Sequence, residues 1–153
     1  MSGIVFTEMD EQGLGLIGAL WAQLNRHHMD RSTHFKDHYQ KFTFEKRKTA
    51  LLKKAAAGKL HVCLACDSGR TVGYCVASLS AEEEVEIESL FVDEGHRRRG
   101  IGDGLMRRAL AWADAQGAKI RKVEVAKGNE AAFRFYEKYG FFPRKTVLQY
   151  QRG

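Results

Sequence analysis

Residues 92–105 read VDEGHRRRGIGDGL and hold the strongest structural signal of the chain. The apolar end of a strand precedes this loop, and apolar residues at helical spacing follow it over 100–116. A helix N-terminus presents unpaired N–H groups and the positive end of the helix dipole. The glycines let a ligand approach the backbone, and the three arginines add charge-assisted hydrogen bonds. This pattern is typical of an anion site, with pyrophosphate as its natural ligand.

Two other phosphate-binding loops are excluded. A P-loop needs Gly-Lys followed by Ser or Thr, which this chain lacks. A Rossmann loop needs a third glycine, but Leu105 stands where that glycine belongs. A basic surface loop that opens an ordinary helix is the alternative reading of the segment.

Regular elements extend in both directions from the loop. Strand 84–92, helix 100–116 and strand 120–126 form a βαβ unit, which predicts parallel neighbouring strands. Strands 59–66 and 71–79 form a hairpin around the turn at 67–70. The other predicted elements are a strand at 3–8, helices at 11–28 and 35–57, a helix at 130–139 capped by Asn129, and one or two strands within 141–151. We therefore expect an α/β protein whose central mixed sheet carries helices on both faces.

Composition limits the class of protein. The 153 residues are 44% hydrophobic and 29% charged, which is typical of a folded domain, and we expect one domain over 1–153. No apolar run reaches the length of a membrane helix, and the first residues lack the pattern of a signal peptide. Three cysteines without an export signal favour reduced thiols and a cytoplasmic location. The net charge of +6 fits an anionic partner but does not identify one.

Two motifs resemble one enzyme family. The pattern Arg97-x-x-Gly100-x-Gly102 is similar to the signature of the GCN5-related N-acetyltransferases (GNAT). The segment NEAAFRFYEKYGF at 129–141 resembles a second conserved segment of that family, and strand 84–92 resembles its fourth strand. The resemblance implies an enzyme that uses acetyl-CoA as donor and an amine as acceptor, without a metal.

The resemblance also implies where the cofactor binds. In this family the fourth and fifth strands separate, and the pantetheine arm lies between them. The residues implied for this chain on the fourth strand are Leu90, Phe91 and Val92. Those implied for the pyrophosphate loop are Arg97, Arg98, Arg99, Gly100, Ile101, Gly102 and Asp103, and Asn129 would position the cofactor arm.

Three residues are candidates for proton transfer. The resemblance gives Tyr136 the role of general acid for the departing thiolate; a core aromatic is the alternative reading. Glu84, Glu86 and Glu88 share one face of a regular strand, and clustered carboxylates attract a cation. Glu88 is therefore the first candidate for the general base and Glu86 the second, with a solvated strand face as the alternative.

The acceptor side is less defined. In the family the first two helices form this wall, so Asn25, His27, His28 and Phe35 are candidates for acceptor binding. The histidines lack a completing Glu or Cys pattern, so we predict no metal site. Cys63 and Cys66 are three positions apart on a strand and therefore point to opposite faces, which favours packed thiols.

These observations predict an N-acetyltransferase acting by direct attack in a ternary complex, because no Cys-His or Ser-His arrangement indicates a covalent intermediate. The alternative is a non-catalytic CoA-binding regulatory module of the same fold. A nucleic-acid binder is disfavoured by the acidic run at 82–88 and by the lack of a recognition helix. A small-molecule or peptide amine remains open as acceptor, with a mild preference for a cationic small molecule, and the pattern is compatible with a homodimer.

Overall fold

The computed structural model describes residues 3–152. Its strands are β1 (Ile4–Met9), β2 (Lys59–Asp67), β3 (Arg70–Leu79), β4 (Glu84–Val92) and β5 (Ile120–Val123). Its α-helices are α1 (Gly18–Arg31), α2 (Lys36–Lys41), α3 (Phe44–Ala57), α4 (Ile101–Ala115) and α5 (Ala132–Glu137). Short 3₁₀ turns at Glu11–Leu16 and Glu94–His96 precede α1 and α4.

The strands form one mixed sheet in the order β1-β2-β3-β4-β5. The first four pair antiparallel, and β4 pairs parallel to β5 through the α4 crossover. This confirms the predicted hairpin, the βαβ unit and the mixed α/β architecture. The pairing of β4 with β5 ends at Ile87 and Val123, although β4 continues to Val92. The sheet therefore opens between these two strands.

Apolar residues form a core on each face of the sheet. One core packs α4 against the sheet through Leu105, Met106 and Ala109, with aromatic residues of α5 at its margin. The other joins α1 and α3 to the opposite face through Leu20, Trp21 and other apolar residues. The two cores explain why the strand ends are apolar on both sides.

A β-bulge at Glu88 changes the direction of the β4 side chains. Val76 lies opposite Ser89 and the next residue of β3 lies opposite Ile87, so Glu88 is an extra residue in the ladder. Before the bulge Val85 and Ile87 belong to the α4 core. After it Leu90 and Val92 pack there, whereas Phe91 belongs to the other core. The expectation of a regular strand over 84–92 was therefore wrong at this position.

Several predicted boundaries need correction. The helix expected over 11–28 is a 3₁₀ turn followed by α1, which extends past residue 28 to Arg31. The helical stretch at 35–57 divides at Phe42, because Thr43 accepts the Lys46 N–H and starts α3. Strand 120–126 ends at Val123.

The last two predicted elements also differ. Helix 130–139 shortens to α5, and its N-cap is Ala131 instead of Asn129, because Asn129 forms a preceding turn in which its carbonyl accepts the Ala132 N–H. The strands expected within 141–151 are absent from the described residues, since 141–152 forms no regular element and has no ladder partner. Within 3–152 no helix combines the length and apolar character that crossing a membrane requires.

Candidate active site

The opening between β4 and β5 is a cavity of about 450 Å³. Ser89 and Leu90 line one side, and the chain from Val123 to Ala126 lines the other. Asn129 and Tyr136 border it from the α5 segment, and residues of α1, α2 and α3 close it from the opposite side. The cavity thus reaches both the separated strands and the wall predicted for the acceptor.

The loop before α4 presents a row of free backbone donors. Within residues 3–152 the N–H groups of 98–103 have no hydrogen-bond acceptor, and the first helical bond runs from the Gly104 N–H to the Gly100 carbonyl. Arg98 and Gly100 adopt left-handed conformations, with φ of 64° and 77°. A Cβ added at Gly102 would meet the Phe135 ring at 3.4 Å. This arrangement fits a pyrophosphate and supports the predicted anion site.

The side chains of the loop serve mainly to hold its shape. Arg97 donates to the Val92 carbonyl at 3.0 Å and lies over the Phe91 ring. Both ring nitrogens of His96 lie 3.1 Å from a carboxylate, that of Asp93 on one side and of Asp67 on the other. The loop amides are therefore positioned by neighbouring side chains before any ligand binds.

Two residues predicted to contact the cofactor have other partners. The Asp103 carboxylate accepts from Lys138 Nζ at 2.9 Å and from the Tyr139 hydroxyl. These bonds hold the pKa of Asp103 below its usual value and tie α5 to the start of α4. The Ile101 side chain is buried in the α4 core, so only its backbone reaches the loop. Arg98 has no ion-pair partner within 3–152.

Tyr136 lines the cavity from α5. Burial raises the pKa of its hydroxyl, as does the nearby Cys75, so the group stays protonated at neutral pH. Within the described residues that hydroxyl has no hydrogen-bond partner. A protonated phenol without a partner at the edge of the cleft has the chemistry that a proton donor requires.

Glu88 lies in an ion-pair cluster that disfavours its predicted role as base. Its carboxylate is 2% exposed and contacts Lys54 Nζ at 2.6 Å and Arg47 Nη2 at 3.3 Å. It also accepts from the Ser78 hydroxyl at 2.6 Å. Arg47 additionally donates to the Glu88 carbonyl that the bulge leaves free. Glu86 shares Lys54 at 3.3 Å, so the acidic wall is largely neutralised by α3.

We expect Glu88→Gln to lower the free energy of unfolding by about 2 kcal/mol, because two cations lose their buried partner. Urea unfolding measures the change. Glu84→Gln is the matched control on the same strand and should change the free energy by less than ~0.5 kcal/mol. A stable Glu88→Gln protein whose activity falls more at low pH than at high pH would instead restore Glu88 as the base.

The acceptor-side predictions divide into two groups. His28 lines the cavity; burial and the charge of neighbouring His27 lower the pKa of His28 to about 4, so its ring is neutral at pH 7. Its Nδ1 is buried without a hydrogen-bond partner within the described chain. Asn25 borders the cavity but donates to the Tyr39 and Phe42 carbonyls, which fixes α2 against α1.

The other two candidates do not line the cavity. His27 lies outside the lining, but its Nε2 is 3.4 Å from Asn129 Oδ1, and Arg31 contacts its Nδ1. It therefore links α1 to the turn before α5. Phe35 precedes α2 and does not reach the cavity. Tyr39 and Phe42 line the cavity where Phe35 was expected.

Sequence reasoning missed several lining residues, namely Tyr39, Phe42, Arg47, Lys54, Ser89 and Glu124. A sequence pattern could have identified the two cationic residues of this lining. Arg47 and Lys54 are seven positions apart and therefore share a face of α3, opposite an acidic strand. Glu124 was not predicted to line a cavity, because the strand was expected to continue through it.

Two further findings concern the rest of the surface. Among residues 3–152 no group of three or more His, Cys, Asp or Glu side chains has the arrangement of a metal site. A second groove of about 680 Å³ is lined by Glu8, His61, Trp112 and neighbouring residues. It contains none of the motif residues.

Comparison with known proteins agrees with this geometry. A family model described as the acetyltransferase (GNAT) family matches residues 21–141. An uncharacterized N-acetyltransferase of Methanocaldococcus jannaschii is 29% identical over 74% of this chain and 54% of its own length. The streptothricin acetyltransferase of Streptomyces lavendulae is 38% identical over 48% of this chain and 39% of its own length. The chain thus spans about half the length, or less, of these curated relatives.

A solved structure supports the fold. The PaiA N-acetyltransferase of Thermoplasma acidophilum, in complex with coenzyme A, aligns with a TM-score of 0.74. The alignment covers 96% of this chain and 94% of the other at 17% identity.

Proposed function

Because the chain belongs to the acetyltransferase (GNAT) family, we propose that it transfers an acetyl group from acetyl-CoA to a primary amine by direct attack in a ternary complex. One observation carries the proposal: the separated strands and Tyr136 border one cavity, and the free loop amides follow the end of β4, one of those two strands. A non-catalytic CoA-binding module would not need a proton donor at the cleft.

The loop and β4 bind the cofactor, and Tyr136 transfers a proton. The amides of 98–103 bind the pyrophosphate, and Arg98 adds its charge. The backbone of β4 beyond Ile87 has no β5 partner, so Leu90, whose backbone groups point to that side, is free to bond the pantetheine arm. The backbone of Phe91 points to Tyr74 of β3 instead, because adjacent residues of a strand face opposite neighbours.

Bound acetyl-CoA supplies an activated thioester. The amine nitrogen would bond the thioester carbon, the C–S bond would break, and Tyr136 would donate its proton to the departing thiolate. The proton that the amine loses would pass through solvent and restore the phenol.

The acceptor enters from the opposite side of the cleft. Tyr39 and Phe42 provide apolar contacts there, and neutral His28 offers a hydrogen-bonding ring. Arg47 and Lys54 neutralise Glu86 and Glu88, which weakens the preference for a strongly cationic acceptor. We therefore propose a small-molecule or peptide amine as acceptor, and a screen of amines that monitors CoA release tests this class. A homodimer is part of the same proposal.

We expect acetyl-CoA and CoA to raise the melting temperature. At 100 times the dissociation constant the ligand stabilises the fold by about 2.7 kcal/mol. That corresponds to roughly 5–10 °C for a chain of this size. ATP and NAD are the controls, because they carry phosphates without a pantetheine arm and should shift the transition less. Scanning calorimetry without any shift at saturating acetyl-CoA would contradict the proposal.

A further inference from the structure

The net charge of the chain is concentrated in one helical segment. Residues 36–59, which contain α2 and α3, hold eight of the 25 Lys and Arg residues but only two of the 19 Asp and Glu residues. This excess of six equals the net charge of the whole chain, so the remaining residues carry 17 charges of each sign. The positive charge is therefore a property of one surface, and such a surface attracts anionic partners.

Most of these cations have no carboxylate partner. Arg47 and Lys54 pair with Glu88, and Lys54 also pairs with Glu86. The other six make no ion pair within residues 3–152; they are Lys36, Lys41, Lys46, Lys48, Lys53 and Lys59. Like charges that lie near one another repel, and a bound anion would offset that repulsion.

The unpaired lysines continue the surface that closes the acceptor side of the cavity. Arg47 and Lys54 of α3 line the cavity, and Lys46 and Lys53 each precede one of them by a single residue. Lys46 and Lys53 are seven positions apart, so they share the adjoining flank of α3, and both are exposed. Lys46 Nζ donates to the Lys41 carbonyl at 3.1 Å, which places the end of α2 beside this flank. We call Lys41, Lys46 and Lys53 the basic flank.

The pyrophosphate of the cofactor does not account for the charge of the basic flank. The amides that fit a pyrophosphate precede α4, and α4 packs against one face of the sheet. Helix α3 packs against the opposite face through Leu51. A second anionic group is therefore needed on the α2 and α3 side, where the acceptor enters.

We propose that the acceptor is a primary amine of a polypeptide in which acidic residues flank that amine. The inference rests on the proposed acetyl transfer and names the acceptor class: the amine nitrogen gains the acetyl group and loses a proton, and CoA leaves as the thiol. Tyr39 and Phe42 contact the carbon chain that carries the amine, and the basic flank binds the neighbouring carboxylates. Charge complementarity of this kind speeds encounter and selects among partners. A nucleic acid fits less well, because the amines of its bases are conjugated with the ring and are poor nucleophiles.

Three matched peptides test the acceptor class. Each has a free N-terminus and one lysine with three Asp, three Ser or three Arg residues on either side, so only the flanking charge differs. At saturating acetyl-CoA and low ionic strength, kcat/KM for the Asp peptide should exceed that for the Ser peptide at least tenfold, and the Arg peptide should be the poorest acceptor. At ~0.5 M salt the Debye length is about 4 Å, and the Asp-to-Ser ratio should fall below threefold.

Charge reversal identifies the surface. The double variant Lys46→Glu/Lys53→Glu should lower the Asp-to-Ser ratio of kcat/KM below threefold and change kcat/KM for the Ser peptide less than threefold. The control Arg107→Glu/Lys119→Glu reverses as many charges at exposed positions on α4 and just beyond it, and should keep the ratio within twofold of the wild type. Melting temperatures check that both variants are folded. An equal fall in both would assign the preference to net charge and overturn the role of the basic flank.

A binding measurement separates this inference from the proposed function. Fluorescence anisotropy with peptides labelled at the C-terminus and CoA-loaded protein reports affinity without turnover, and the Asp peptide should bind at least tenfold more tightly than the Ser peptide. Acetylation of both peptides with equal kcat/KM would overturn the acidic acceptor and leave acetyl transfer intact. Tight binding of the Asp peptide without acetylation of any peptide would overturn the polypeptide as acceptor. A single-stranded oligonucleotide that displaces the Asp peptide at a lower concentration than the unlabelled Asp peptide would overturn the choice of partner.

Discussion

Replacing Tyr136 with phenylalanine should lower kcat about 10²- to 10⁴-fold, the usual contribution of general acid catalysis. The change removes one hydroxyl that has no partner within the described residues and keeps the ring in its place at the margin of the core. We therefore expect affinity for acetyl-CoA to stay nearly constant. Steady-state kinetics and a binding titration measure the two quantities separately.

A matched control and a second donor sharpen this test. Tyr139→Phe makes the same change three residues later, where the hydroxyl bonds Asp103 outside the cleft, so kcat should fall less than threefold. With an acetyl donor whose thiol is more acidic, Tyr136→Phe should lower kcat less, because a weakly basic thiolate departs without being protonated. Equal losses with both donors would mean that Tyr136 orients the cofactor. Full activity would make it a packed aromatic and favour the CoA-binding module.

Replacing Gly100 with aspartate should weaken acetyl-CoA binding about 30- to 100-fold. Gly100 lies among the free amides at the start of α4, and no other atom comes within 4 Å of an added Cβ. Aspartate also tolerates left-handed backbone better than most residues, so the fold should survive. Two unit charges 4 Å apart repel by about 4 kcal/mol at an effective dielectric of 20, and solvent screening reduces that value.

The neutral variant Gly100→Asn isolates the charge. Asparagine has the same shape and the same conformational tolerance, so its loss of affinity should stay below about tenfold. Calorimetric titration with CoA compares the two variants, and their melting temperatures without ligand check folding. Equal affinities for Asp and Asn would place the pyrophosphate elsewhere.

The spacing of apolar residues predicted those strands and helices whose type depends on residues close together in the chain. Strands β2, β3 and β4 and helix α4 each contain enough regularly spaced apolar residues to define the type of the element. The same residues nearly define where each element begins and ends. The tail at 145–151 was predicted from the same kind of pattern, but a strand exists only where a second strand supplies hydrogen bonds. Composition cannot reveal whether that partner is present in the same chain.

A motif predicts a site best where it fixes backbone geometry and less well where distant side chains meet. The motifs led us to expect a ligand loop at 98–103 and a proton donor at Tyr136; the structure shows free amides in that loop and Tyr136 at the cavity. The pairing of Arg47 with Glu88 joins residues 41 positions apart and depends on how α3 crosses the sheet. The role of Glu88 as a base was therefore inferred without its neutralising partners.

The extra residue at position 88 makes its own removal a special case among deletions in β4. Removing Glu88 would restore regular pairing with β3, because Ile87 already lies opposite Ala77 and Ser89 opposite Val76, so Leu90, Phe91 and Val92 would keep their faces. Removing Leu90 instead would turn Phe91 toward the α4 core and Val92 away from it, because side chains alternate along a strand. In a deletion scan, β4 should therefore tolerate the loss of residue 88, which removes its ion pairs, better than the loss of Leu90.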